Sequence, residues 1–379
     1  MKFVLAPDKF KNSLTGLEFC NAVEEGILKV IPHAEITKLP LADGGDGTME
    51  VANYYLQGDI LDVTVNNPLF KPVSASYLYV EASQIAFIEM SEASGLKLLS
   101  TKDRDCKSTT TLGTGELILD AINKGAKQII LGIGGSATND CGIGMAKALE
   151  YRFLDTNNNE VVPIGSNLSS IVSIDDSYVN PNLNQITFKI ACDVTNPLYG
   201  KHGAAYVYAA QKGATFDDIE ILDKGLQNFS KVIDSHFRIE CQNIKGAGAA
   251  GGMGIGSIVF LKGNLISGID LIKELAQFDD KIKNADLIIT GEGQLDHQTV
   301  SGKTIKGIVD SAKLNNIKVA VLCGSIDLND VELKEFGISY ADAVIRKAKN
   351  LEDAMKNSYK YVSEMATEFA EKISQNTIN

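Results

Sequence analysis

The chain has 379 residues, enough to bury two apolar cores rather than one. Acidic residues outnumber Lys and Arg by 48 to 36, for a formal charge of −12, and the four arginines (Arg104, Arg152, Arg238, Arg346) are scattered. Such a balance repels phosphodiester backbones and argues against a nucleic-acid partner, so any phosphate would have to be held by lysines, backbone N–H groups and metal ions.

Six cysteines without a Cys-x-x-Cys pair suggest neither a disulfide framework nor a zinc site, and point to a reducing compartment. The opening MKFVLAPDKFKN is too polar for a signal peptide, and no apolar run approaches membrane-spanning length. A cytoplasmic protein without a membrane partner is therefore expected. The sequence sets no oligomeric state.

In chain order, FVLA at 3–6 reads as a buried strand opening onto the polar turn DKFKNSLT. Thr15 and Glu18 form a capping box, after which Phe19, Val23, Ile27, Val30 and Ile31 recur at helical spacing until Pro32. A second strand near 35–40 runs into the loop ADGGDGT. Between 60 and 90, LDVTV, SASYLYV and QIAFIEM alternate apolar with polar residues, which implies antiparallel or mixed pairing.

There follow a helix near 114–124, the strand QIILGI, a helix near 142–150, the strand TFKIACDV and a long amphipathic helix after Phe216. From about 285, DLIIT, KVAVLC and ADAVIR alternate with helical stretches, which is βαβ grammar. Nine apolar positions from Leu351 to Ile373 predict one closing helix. The expected architecture is α/β with two domains. Residues 1–64 and 285–379 build a parallel-sheet domain from both termini, and residues 65–284 form an inserted α/β domain with a mixed sheet.

Five loops that each follow an apolar run share glycine, acids and hydroxyls: 6–15, 42–48, 132–142, 192–200 and 290–303. In open α/β sheets ligands bind beyond the carboxyl ends of the strands, where glycines admit close backbone approach and helix N-termini favour anions. Acids there can hold Mg²⁺, and Lys9, Lys11 and Lys303 can offset phosphate charge. The tail Ser301-Gly302-Lys303-Thr304 imitates a P-loop, but the position that needs the first glycine is His297. Two dinucleotide-like matches, GAGAAG at 246–251 and GIGGSA at 132–137, sit in the wrong context: the first follows a poor strand, and the second continues into Thr138, Asn139 and Asp140. The tract from Gly246 to Gly256 reads as a close-approach or mobile turn. The four histidines, His33, His202, His236 and His297, have no obvious serine or cysteine partner for nucleophilic chemistry.

The stretches APDKFKNSLT, LADGGDGT, STTTLGTGELI, GIGGSATNDCGIGMAKAL, CDVTNPLYGKHGAAYVYAAQKGA, GAGAAGGMG and ITGEGQLDHQTVSGK, in this order, give the chain its likeness. Over essentially its full length it resembles the bacterial type I glycerate kinases. The resemblance implies a Rossmann-like domain built from both termini with an inserted second domain. It also implies phosphorylation of glycerate with ATP and Mg²⁺, with 2-phosphoglycerate the usual product.

For that chemistry the hydroxyl's proton needs an acceptor, and Asp193 and Asp296 lead as base or Mg²⁺ ligand, with Lys9 steadying charge. Asp8, Lys11, Ser13, Asp43, Gly44, Gly45, Asp46, Gly134, Gly135, Ser136, Thr138, Asn139, Asp140, Glu292, Gly293, Ser301 and Lys303 are the expected substrate and phosphate contacts. A cleft between the two domains that closes over both substrates is a further expectation. Two alternatives stay open: a kinase for a related small hydroxy acid, and a regulatory ligand-binding protein of the same fold without turnover.

Overall fold

The computed structural model describes residues 1–45, 47–297 and 304–375. The chain forms two compact units, one from Met1–Asp43 together with Ile269–Asn379, the other from Gly44–Gly268. The fold is α/β, with a separate sheet in each unit.

The sheet of the first unit has five strands, all parallel, in the order Tyr340–Ala343, Lys318–Cys323, Leu287–Thr290, Lys2–Leu5, Glu35–Lys38. The amino-terminal strand thus lies beside one contributed almost 300 residues later, with Phe3 opposite Leu287. Leu287–Thr290 is buried at every position and Lys318–Cys323 at all but its first, as strands covered on both faces require. The polar strand Glu35–Lys38 sits at the edge.

Helix Gly16–Val30 begins at the Thr15/Glu18 capping box and ends before Pro32. It packs on Ser358–Ser374 so closely that a Cβ on Gly26 would lie 2.3 Å from the Ser363 carbonyl oxygen. Phe19, Val23, Ile27, Val362, Met365 and Phe369 fill the contact.

The second unit holds a six-stranded mixed sheet in the order Asn264–Ile266, Thr187–Ala191, Gln128–Gly132, Ile85–Glu89, Pro72–Val80, Asp59–Asn66. Its last two junctions are antiparallel and the rest parallel. The amphipathic helix Phe216–Phe237 starts at a capping box of Thr215 and Asp218 and buries Leu222, Leu226, Phe229 and Ile233.

Two features differ from the sequence reading. The units divide after Asp43 and after Gly268 rather than near 64 and 284. Helix Thr48–Leu56 packs on Pro72–Val80 and Ile85–Glu89, which carries it into the second unit. At the other border, Ile269 fills the space beside Gly307, and Ser311 donates to Asp279 at 2.5 Å, which holds the segment after Gly268 in the first unit. The closing helix is also two helices, Leu351–Lys356 and Ser358–Ser374, broken at Asn357.

Candidate functional site

Every strand of the parallel sheet delivers its carboxyl end to the same side, and a cavity of about 430 Å³ lies there. The loop after Lys2–Leu5 is held by Asp8 N–H, which donates to the Gly291 carbonyl at 2.9 Å, and by Thr290 Oγ1, which donates to the Ala6 carbonyl at 2.8 Å. Asn12 takes the left-handed conformation at φ 61°, turning the loop so that Ser13 Oγ donates to the Met355 carbonyl at 3.0 Å and meets Ser358 Oγ at 2.7 Å.

Asp8, Lys9, Lys11, Ser13, Asp43, Glu292, Gly293 and Asp296 all line this cavity. These are residues from three loops that the sequence picked out separately. Asp8 accepts hydrogen bonds from Thr304 Oγ1 at 2.6 Å and from Lys9 N–H at 2.7 Å. Burial nevertheless pushes its carboxyl up to about 6, and the neighbouring charge of Asp43 acts in the same direction.

Phe10, Val344, Ile345, Leu351, Ala354 and Met355 also line the cavity. The sequence reading missed them as site residues. Leu351, Ala354 and Met355 fall on the apolar stripe of the closing helix, where spacing is the same for a residue facing the core and one facing a ligand.

The second unit has its own smaller cavity of about 170 Å³, lined by Gly44, Gly45, Glu89, Ser91, Leu96, Lys97, Gly132, Gly134 and Gly135. Gly44 and Gly135 have φ of 86° and 71°, which side-chain-bearing residues rarely adopt. Asp193 Oδ1 accepts from Gly268 N–H at 2.7 Å, and a Cβ on Gly44 would come within 3.1 Å of its Oδ2. Glu89 was not anticipated. It ends the strand Ile85–Glu89, is buried, and accepts from Met49 N–H at 3.0 Å in the first turn of helix Thr48–Leu56. An acid closing the apolar run QIAFIE was the available signal.

Ser136, Thr138, Asn139 and Asp140 line neither cavity and are buried. Asp140 accepts from Thr111 N–H and Oγ1–H, both at 2.8 Å, and from the N–H groups of Gly142 and Gly144 at 3.3 and 3.2 Å. Its carboxylate organises the start of helix Ile143–Ala148, and burial still holds its carboxyl above the usual range. Lys212 was also unanticipated. It is 2% exposed and donates to Ser136 Oγ at 2.6 Å and the Thr138 carbonyl at 2.7 Å, fastening the loop from beneath. Burial pulls its ammonium down to about 8, against the opposing influence of Cys106 and Asp140.

Asp46, Ser301 and Lys303 lie outside the described residues. The two acids expected to share a metal, Asp193 and Asp296, belong to different units. Among the described residues no three His, Cys, Asp or Glu side chains gather as a preformed metal site, and no helix is long and apolar enough to cross a membrane.

The sequence model of the glycerate kinase family matches residues 3–374. A glycerate kinase of Halalkalibacterium halodurans is 42% identical over 97% of each chain, and a glycerate 2-kinase of Escherichia coli K12 is 39% identical over 95% of this chain and 94% of its own. A crystal structure assigned to glycerate kinase 2 of Salmonella typhimurium LT2 superposes with a TM-score of 0.89 at 40% identity, covering 100% of this chain and 99% of that one. A family match across almost the entire chain, joined to acids, lysines and glycines gathered at strand ends, establishes that the protein belongs to the glycerate kinase family and is a phosphotransferase.

Proposed function

We propose that the protein transfers the γ-phosphoryl group of ATP to D-glycerate, giving 2-phosphoglycerate, with Asp8 as the general base. The observation that carries this reading is the 430 Å³ cavity in which Asp8, Asp43, Glu292 and Asp296 meet Lys9 and Lys11. That size lies within the range of nucleotide and cofactor pockets. The relative named as a glycerate 2-kinase supports the choice of hydroxyl.

Phosphoryl transfer passes through a loose transition state, so positioning and cationic neutralisation matter more than a strong nucleophile. The glycerate hydroxyl oxygen forms a bond to the γ-phosphorus while the bond to the bridging oxygen breaks. ADP leaves with that oxygen, and the hydroxyl proton passes to the Asp8 carboxylate. A base whose carboxyl sits near 6 is ionised at neutral pH yet accepts a proton more readily than an ordinary aspartate. The Thr304 hydroxyl and Lys9 N–H fix its orientation. Asp8 thus takes the role of base for which Asp193 and Asp296 were the leading sequence candidates.

Glu292 and Asp296 are the carboxylates suited to Mg²⁺ arriving with the nucleotide. An all-oxygen donor set of one or two carboxylates fits an ion that keeps its phosphate and water ligands, and the ion would neutralise phosphate charge. Asp193, which accepts from Gly268 N–H and stands beside Gly44, is proposed to steady the loop that carries Gly44.

Glycerate-dependent ADP release, with the product identified by phosphorus NMR, tests the activity and the hydroxyl together. Turnover of another hydroxy acid in preference to glycerate, or ligand binding without turnover, would each sink the reading.

Lys212→Met tests the fastening of the loop that carries Ser136 and Thr138. Replacing the buried ammonium by an apolar side chain leaves the Ser136 hydroxyl and the Thr138 carbonyl without their donor, so stability should fall by about 1–3 kcal/mol, read as a lower Tm. An unchanged Tm would remove Lys212 from its positioning role.

A further inference from the structure

Resting on the kinase reading above, we propose that the nucleobase of the phosphoryl donor lies on an apolar shelf formed by Val344, Ile345, Leu351, Ala354 and Met355. The strand order supplies the argument. Across the sheet, the segment after the edge strand Tyr340–Ala343 contributes Val344 and Ile345, the next loop Gly324 and Ser325, the next Glu292 and Gly293, and the next Asp8 and Lys9. Asp43 follows the opposite edge strand. The cavity therefore runs from an apolar end to an acidic and cationic end. Five strands about 4.8 Å apart span about 19 Å, a reach that suits an extended nucleoside triphosphate.

The apolar end is exposed in a way that core packing does not explain. Leu351 is 67% exposed, and Ile345 and Met355 are each 38% exposed, yet all three border one cavity. Large apolar side chains lining a concave site are the usual partners of a planar ring, and the methionine thioether makes favourable contacts with aromatic edges.

The two ends are also mechanically joined. Ser13 Oγ donates to the Met355 carbonyl at 3.0 Å and meets Ser358 Oγ at 2.7 Å, so the loop carrying Asp8 and Lys9 is pinned to the helix carrying the shelf. A base seated on Leu351 and Met355 thus fixes the register of the phosphates that follow it. Ser13, expected from sequence as a phosphate contact, serves this linkage.

The experiment is steady-state kinetics on Leu351→Glu and Met355→Ala, with adenosine as a phosphate-free competitor. Leu351 opens helix Leu351–Lys356 and is exposed, so glutamate there is compatible with folding and favourable in a first turn. KM for ATP is expected to rise about tenfold in Leu351→Glu and less in Met355→Ala, with KM for glycerate and Tm unchanged. Adenosine should compete with ATP in the wild type and lose potency in both variants. Normal turnover with KM for ATP unmoved in both variants would overturn the shelf alone. A wild-type protein without glycerate-dependent ADP formation would instead overturn the kinase reading on which the shelf rests.

Discussion

Asp8→Asn is expected to lower turnover by roughly 10²- to 10⁴-fold, the usual contribution of a positioned general base, while raising stability at neutral pH. The stability half of the prediction follows from linkage. The folded protein holds the Asp8 proton up to about pH 6, whereas the unfolded chain releases it in the ordinary range near 3.8. Between those values the native state binds more protons, so wild-type stability falls as pH rises through the window and levels off above it.

At about 1.36 kcal/mol per unit, the ionised carboxylate costs at most about 3 kcal/mol at pH 7. Asparagine removes that cost but gives up one acceptor for the Thr304 hydroxyl and Lys9 N–H, so a net gain of about 1–2 kcal/mol is expected. Denaturant titrations at pH 7.5 and pH 4 check it: the variant's advantage should shrink toward the lower pH. The wild-type kcat/KM should climb as pH rises through about 6, where the base ionises. Turnover within tenfold of the wild type would take Asp8 out of the base role, whatever the stability data show.

The second large effect is predicted at a residue that lines neither cavity. Gly251→Ala should destabilise the protein by about 3 kcal/mol or more, because two independent costs coincide. The residue has φ 73°, and an added Cβ would stand 2.1 Å from the Thr138 carbonyl oxygen and 2.7 Å from the Asn139 Cα. Both contacts are backbone atoms that cannot swing aside. Ala250 and Gly252 share the positive φ, so helix Ala249–Leu261 opens with a kink that lets Cys141 N–H donate to the Gly251 carbonyl at 3.0 Å. Urea midpoints compare the two proteins directly, and a midpoint equal to the wild type's would refute the steric account. The letters GAGAAG therefore serve packing of the chain against itself. A dinucleotide fingerprint would need a strand before it, and Cys241–Asn243 forms a short 3₁₀ turn instead.

These cases show where sequence reasoning reached and where it stopped. The loops bearing Asp8, Asp43, Glu292 and Asp296 were legible because each combines an apolar strand with turn residues, signals that act over a few positions. Glu89 and Lys212 were not, since an acid ending a strand and a lysine in AQK look ordinary until burial is known. Val344, Ile345, Leu351 and Met355 read as core because apolar spacing does not say what a face meets. Asp140, picked out beside Asn139 as a ligand contact, is spent on the N–H groups of Thr111, Gly142 and Gly144.

By itself the sequence determined the alternation of strands, helices and glycine-acid turns, and with it the α/β class, since turn sterics, end capping and apolar period are short-range physics. Only the tertiary structure decided that the strand Lys2–Leu5 pairs with Leu287–Thr290, and that segment 44–64 joins the second sheet. It also decided which apolar side chains face a cavity. Those outcomes depend on which surfaces, hundreds of residues apart, exclude water together, and no local pattern carries that information.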